Sequence, residues 1–139
     1  MTTEPKRYED VELGDDLPTF SPDVSMERVV QFTGATGQDF PRFTSHEAAR
    51  AEGLPGALVP GIMSQALLAV MIHTWAPGSN ITKLDTVFRA PVVVGTAPTI
   101  EGAVTDTDDE TRTVEVDLTM TAEDGRTGLL GTATVAFTN

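Results

Sequence analysis

The chain has 139 residues, enough for one domain with a buried core and too few for two full catalytic units. It has no cysteine and only two histidines, His46 and His73, which removes disulfides, thiolate catalysis and Cys-bearing metal centres and leaves little for any other metal cluster. Nine Lys and Arg against 21 Asp and Glu give a net charge of -12, which repels polyanions and argues against nucleic acid or an anionic membrane surface.

No run approaches the roughly 18 to 20 apolar residues of a membrane span, and no apolar stretch follows the polar start. The expectation is a soluble cytoplasmic protein with one domain over residues 1–139. Residues 1 to 7 read as a frayed start. From Tyr8 to Asp15 the chain alternates Tyr8, Asp10 and Glu12 against Glu9, Val11 and Leu13 before a Gly14-Asp15 turn, predicting a short strand or extended lead-in. Residues 17 to 21 form a second extended piece, which Pro18 restricts to a sheet edge or a strand start.

Ser25 is placed to cap a helix with Glu27 in its first turn, and Met26, Val29, Val30 and Thr33 fall on one face, with Gly34 and Gly37 ending it. Thr44 with Glu47 makes a capping-box pattern for a short helix holding Ala48, Ala49 and Ala51 and stopped by Gly53. His46 then lies near a helix N-terminus, its ordinary reading being an exposed first-turn residue. The most apolar helix runs from Pro60 to Trp75, with Pro60 in its first turn. Apolar residues cover more than one of its faces, so burial on most sides is expected. His73 lies near its C-terminal end, where the helix dipole favours a cation.

Beyond Ile81 the period changes from 3.6 to 2. Strands are predicted over 83–88, 91–94, 99–104, 113–121 and 129–137, with turns at 105–110 and 123–125. The Asp124-Gly125 pair makes the last two strands antiparallel neighbours. A long buried helix followed by antiparallel strands, without β-α-β alternation, argues an α+β fold with the sheet wrapped over the helix.

Several of these segments resemble one family. Tyr8, Asp10, Gly14 and Asp15 are similar to the opening of MaoC-like domains of the (R)-specific enoyl-CoA hydratase group. Residues 87–95, with Phe88, Arg89, Pro91-Val92 and Gly95, resemble a later strand pair of that group. The resemblance implies the hot-dog fold, an antiparallel sheet wrapped around a long central helix. The family's catalytic loop, Gly-Asp-x-Asn-Pro-x-His-x-Asp, lies without gaps on residues 37–45. Gln38 then stands for the Asp, Phe40 for the Asn, Phe43 for the His and Ser45 for the second Asp, and Pro60-Gly61 stands for the His-Gly that opens the central helix. Beyond the loop's opening Gly37, only Pro41 and Gly61 keep the pattern.

In such hydratases the Asp and His jointly activate a water that adds across an enoyl thioester. Gln38 can orient a water but cannot take its proton, and Phe43 has no proton chemistry. Losing a positioned acid-base group costs about 100 to 10,000-fold. The Gly61 N–H, aided by the helix dipole, is where the resemblance places polarisation of the thioester carbonyl. Phe40, Phe43 and Met63 are implied to line or block an acyl tunnel. Arg42 and Arg89 are the nearest cations for coenzyme A phosphates, and Asp39 with His46 is the fallback for a relocated acid-base pair.

The resemblance implies no cofactor, and its partners are an acyl-CoA or acyl-carrier thioester and a second hot-dog domain. Three functions remain open. The chain is the non-catalytic subunit of a heteromeric hydratase or dehydratase paired with a MaoC-like subunit that keeps Asp and His; or an active enzyme on an unusual acyl or polyketide thioester; or a homodimeric binding module without turnover.

Overall fold

Alternation in the C-terminal half puts one apolar row on a single face of each strand, and the sheet is organised by the need to cover it. The computed structural model describes residues 4–138. Strands β1 (Asp16–Phe20), β2 (Asn80–Phe88), β3 (Thr99–Asp108), β4 (Thr113–Thr121) and β5 (Thr127–Ala136) form an antiparallel sheet in the order β1-β3-β4-β5-β2. Helices α1 (Met26–Thr36), α2 (Pro41–Thr44), α3 (His46–Ala51) and α4 (Gly61–Trp75) all precede β2.

On β4, Val114, Val116, Leu118 and Met120 are buried, facing across the ladder Val135, Ala133, Gly131 and Leu129 of β5. Against this row α4 lays Leu68, Met71, Ile72 and Trp75. Leu68, Met71 and Ile72 each contribute about 1.5–3 kcal/mol on leaving water. Gly131 sets the closeness of the contact: a Cβ there would lie 2.9 Å from Leu68 Cδ1. The α+β arrangement of a sheet on a central helix is therefore the one expected.

Several boundaries differ from the sequence reading. Residues 1–3 of the expected frayed start lie outside the described residues, but Lys6 is tied down: its N–H donates to Pro77 O at 3.0 Å and its Nζ sits 5.1 Å from the Trp75 ring centroid. Tyr8–Asp10 is a single 3-10 turn rather than a strand. Gly34 lies inside α1, which ends at Gly37 with φ 75, and Val30 is exposed while Val29 and Thr33 are buried. The N-cap of α3 is Ser45, whose hydroxyl accepts from Ala48 N–H at 3.1 Å, so Thr44 belongs to the preceding turn. Pro60 is the N-cap of α4, one position outside the helix.

Residues 91–94 do not join the sheet. Val92 and Val94 are buried, but this segment pairs with 57–59 instead, through Val59 N–H to Val92 O and Val94 N–H to Ala57 O, both 2.8 Å. Strand β3 runs on to Asp108, which moves the turn to residues 109–112. Finally, α4 is buried on one side only. Ile62, Ala66, Val70 and His73 form an exposed stripe along it.

Candidate functional site

The left-handed Gly37 ends α1 and reverses the chain, fixed by Gln38 N–H donating to Thr33 O at 2.9 Å. Residues 38–40 then lead to Pro41 at the first position of α2, where its missing N–H costs no hydrogen bond. This four-residue turn sets Phe40 and Phe43 edge to face, with centroids 6.2 Å apart. The Leu58 N–H donates to Arg42 O at 2.9 Å, tying α2 to the segment that delivers Pro60 and Gly61. A groove of about 750 Å³ opens between these elements, lined by Gln38, Phe40, Phe43, Gly61, Gln65 and Phe88 among others. A smaller cavity of about 340 Å³ shares Phe43, Gly61 and Phe88 with it and continues towards Ser64, Arg89 and Leu129.

Gly61 therefore stands at the junction of the two spaces. A Cβ on it would meet Phe88 Cζ at 3.0 Å and Cε1 at 3.1 Å, so the glycine is what lets that ring close over the start of α4. Pro60 supplies no side-chain cap, and the Gly61 N–H has no partner among the described residues. An uncapped helix start carries partial positive charge and favours a ligand acceptor.

The structure brings Gln38, Phe40, Arg42, Phe43 and Gly61 together around the groove, and Arg89 onto the smaller cavity. It does not bring in Asp39 or His46, which line neither space. The His46 Nδ1 accepts from Ala57 N–H at 3.0 Å, so the ring holds the 57–59 segment and is not an exposed first-turn side chain. Met63 is buried in the core and also lines neither space. His73 is exposed in the last turn of α4.

Arg42 and Arg89 differ in electrostatic state. Arg42 is held by Glu52, Nη2 to Oε1 at 3.0 Å, whereas Arg89 has no side-chain partner among the described residues. Glu52, Gln65 and Ser64 are lining residues that the sequence reading missed. Gln65 Nε2 donates to Thr86 Oγ1 at 2.6 Å. The signal available for Gln65 and Ser64 was two adjacent polar residues in the first turns of the most apolar helix.

The ionisable groups displaced from their ordinary values lie elsewhere. A hydrogen bond to Asp109 raises the Tyr8 phenol, and a hydrogen bond from Arg112 lowers the Glu9 carboxyl. Among the described residues no three His, Asp or Glu side chains group as a metal site would require, and no helix is long and apolar enough to cross a membrane.

The family model for the MaoC like domain matches residues 11–125. The chain belongs to the MaoC-like domain family. The fold of this MaoC-like chain is the hot-dog fold of its solved neighbours. It superposes on the (R)-hydratase from A. caviae involved in PHA biosynthesis with a TM-score of 0.87 at 19% identity, over 93% of this chain and 98% of that one. A protein described as a MaoC-like dehydratase gives 0.87 at 28% identity over 98% of this chain, which spans 43% of that longer protein. The ChsH1-ChsH2 complex from Mycobacterium tuberculosis gives 0.82 at 18% identity, over 91% of this chain and 98% of the matched one. No curated protein sequence matches significantly.

Proposed function

We propose that this MaoC-like chain binds an acyl thioester without hydrating it, as the non-catalytic subunit of a heteromeric enoyl-CoA hydratase or 3-hydroxyacyl thioester dehydratase. The observation that carries this reading is the chemistry of the groove. It offers the open start of α4, but Gln38 and Phe43 stand in its wall, and its one carboxylate, Glu52, is held by Arg42. No imidazole lines it. An amide and a phenyl ring cannot exchange the two protons that hydration moves.

Two further features support the partner. Strand β2 is a nine-residue sheet edge bonded, among the described residues, only to β5, and it carries exposed Val87 and Phe88; on α4, Ile62 and Val70 are also exposed. An open edge beside apolar surface favours pairing with another sheet. The chain is also similar in fold to a protein solved as a two-component complex. Within the site, Arg89 is the cation free to meet carrier phosphates, because Arg42 is already neutralised by Glu52.

The test is spectrophotometric. The purified chain is incubated with crotonyl-CoA and the enoyl-thioester absorbance followed, alone and after addition of a MaoC-like subunit that keeps Asp and His and is encoded beside it. The expected result is no loss alone and rapid loss in the mixture. Turnover by the chain alone would overturn the proposal in favour of a rebuilt site. Absence of any complex, with a homodimer by light scattering, would overturn it in favour of a binding module.

A further inference from the structure

Ser64 lies one turn into α4 and is only 4% exposed. Its hydroxyl makes no hydrogen bond among the described residues, although other helical hydroxyls of this protein do: Thr36 and Thr74 each donate to the carbonyl four residues back, at 2.8 Å. Yet no buried polar side-chain atom among the described residues is sealed without a partner. The Ser64 hydroxyl therefore opens onto the cavity of about 340 Å³ that Ser64 lines. A polar group so placed in an apolar wall carries a desolvation cost that a ligand atom can relieve.

Gly61 lines the same cavity, and its N–H is likewise unpartnered among the described residues. Residues three apart lie on one helix face, and a helical side chain leans towards the N-terminus, so the Ser64 hydroxyl and the Gly61 N–H converge on one small volume. Both groups can donate, and the helix start favours an acceptor with partial negative charge. Leu58, Val59, Val92 and Leu129 of the wall offer no side-chain donor, and the other side-chain donor that lines the cavity is the Arg89 guanidinium, placed to meet carrier phosphates. We infer that Ser64 is the second hydrogen-bond donor to the carbonyl oxygen of an acyl thioester, acting beside the Gly61 N–H. The assignment rests on the thioester-binding reading above. It makes Ser64 a determinant of selectivity for ligands that carry an oxygen at this point.

Calorimetric titration of the wild type, Ser64→Ala and Ser64→Thr with octanoyl-CoA and with its thioether analogue S-octyl-CoA, which lacks the carbonyl, tests it. Ser64→Ala is expected to bind octanoyl-CoA about 10-fold more weakly, to bind the thioether as the wild type does, and to melt no lower than the wild type, because its hydroxyl has no partner in the free protein. Ser64→Thr retains most of the affinity. The carbonyl stretch of 13C-labelled octanoyl-CoA bound to Ser64→Ala moves to higher frequency. If the wild type prefers the thioester and Ser64→Ala keeps that preference, the Ser64 assignment falls while thioester binding stands. Equal weakening for both ligands gives Ser64 a packing role and also overturns it. If the wild type binds neither compound, the thioester reading fails and takes the assignment with it.

Discussion

The helix-to-sheet contact at Gly131 lends itself to a quantitative test. Gly131 stands opposite Leu118 on the ladder, and Leu68 of α4 presses onto it from above, with Leu68 and Leu118 at 0% and 1% exposure. In Gly131→Ala the new methyl would lie 2.9 Å from Leu68 Cδ1 and 3.7 Å from Leu118 Cβ. Carbon atoms rest at about 3.5–4.0 Å, so Leu68 or the helix has to yield by about 0.6–1.1 Å. Overpacking of this kind costs about 1–3 kcal/mol. Removing glycine from a strand returns about 0.5–1 kcal/mol, which leaves a net loss between about 0 and 2.5 kcal/mol. Urea denaturation measures it, and a lowering of Tm by about 3–5 °C per kcal/mol accompanies it. Leu68→Ala alone should cost about 2–5 kcal/mol through its cavity. In the double variant the methyl introduced by Gly131→Ala occupies part of that cavity, so the combined loss falls about 1 kcal/mol short of the sum. Additive losses, or a stabilised Gly131→Ala, would refute the claim that this pair sets the helix height.

Gly61→Ala puts a methyl 3.0 Å from Phe88 Cζ; because Phe88 is half exposed and can turn aside, stability changes by less than about 1 kcal/mol, while octanoyl-CoA affinity measured by calorimetry drops at least about 10-fold. His46→Ala leaves the buried Ala57 N–H without its acceptor, for a loss of about 1–3 kcal/mol in chemical denaturation; an unchanged stability would remove the structural role given to this ring. The Arg112 hydrogen bond holds the folded Glu9 carboxyl below its unfolded value, so its stabilisation is complete above about pH 4.3 and is lost as pH falls through the lower folded value. Urea melts of Arg112→Gln at pH 7 and pH 3 should therefore differ less than those of the wild type. The pair Gln38→Asp with Phe43→His should confer measurable loss of crotonyl-CoA absorbance, and a folded, ligand-binding double variant without turnover would show that the groove geometry has departed from a hydratase's.

The parts of the fold legible in the sequence are those in which one local pattern persists over many residues. Helix α4 announced itself by apolar content, and β4 and β5 by strict alternation around Asp124-Gly125, whose glycine takes φ 91. Short patterns misled. The alternation at Tyr8–Asp10 is one 3-10 turn, and α2 is shorter than any window in which helical periodicity can register. The valines at 92 and 94 are apolar because they enter the core, while their backbone bonds go to residues 57–59, a pairing that no local signal encodes. The groove was legible where residues are contiguous, as with Gln38, Phe40 and Phe43. It was not where distant segments converge. Phe88 over Gly61, Glu52 against Arg42 and the unpartnered Ser64 hydroxyl exist only once β2, α3 and α4 are placed together.

The two outer strands of the sheet are unequal. β1 has five residues, contains Pro18, starts at Asp16 and shifts register between Leu17 and Phe20, whereas β2 pairs regularly with β5 from Lys83 to Phe88. A proline without an N–H, a charge and an irregular ladder leave no template for a further strand. A sheet with one blunt end and one receptive end acts as a chain terminator. A second copy that adds along β2 presents its own blunt β1 at the far side, so growth by strand addition of this chain halts at two copies and cannot run on into a filament.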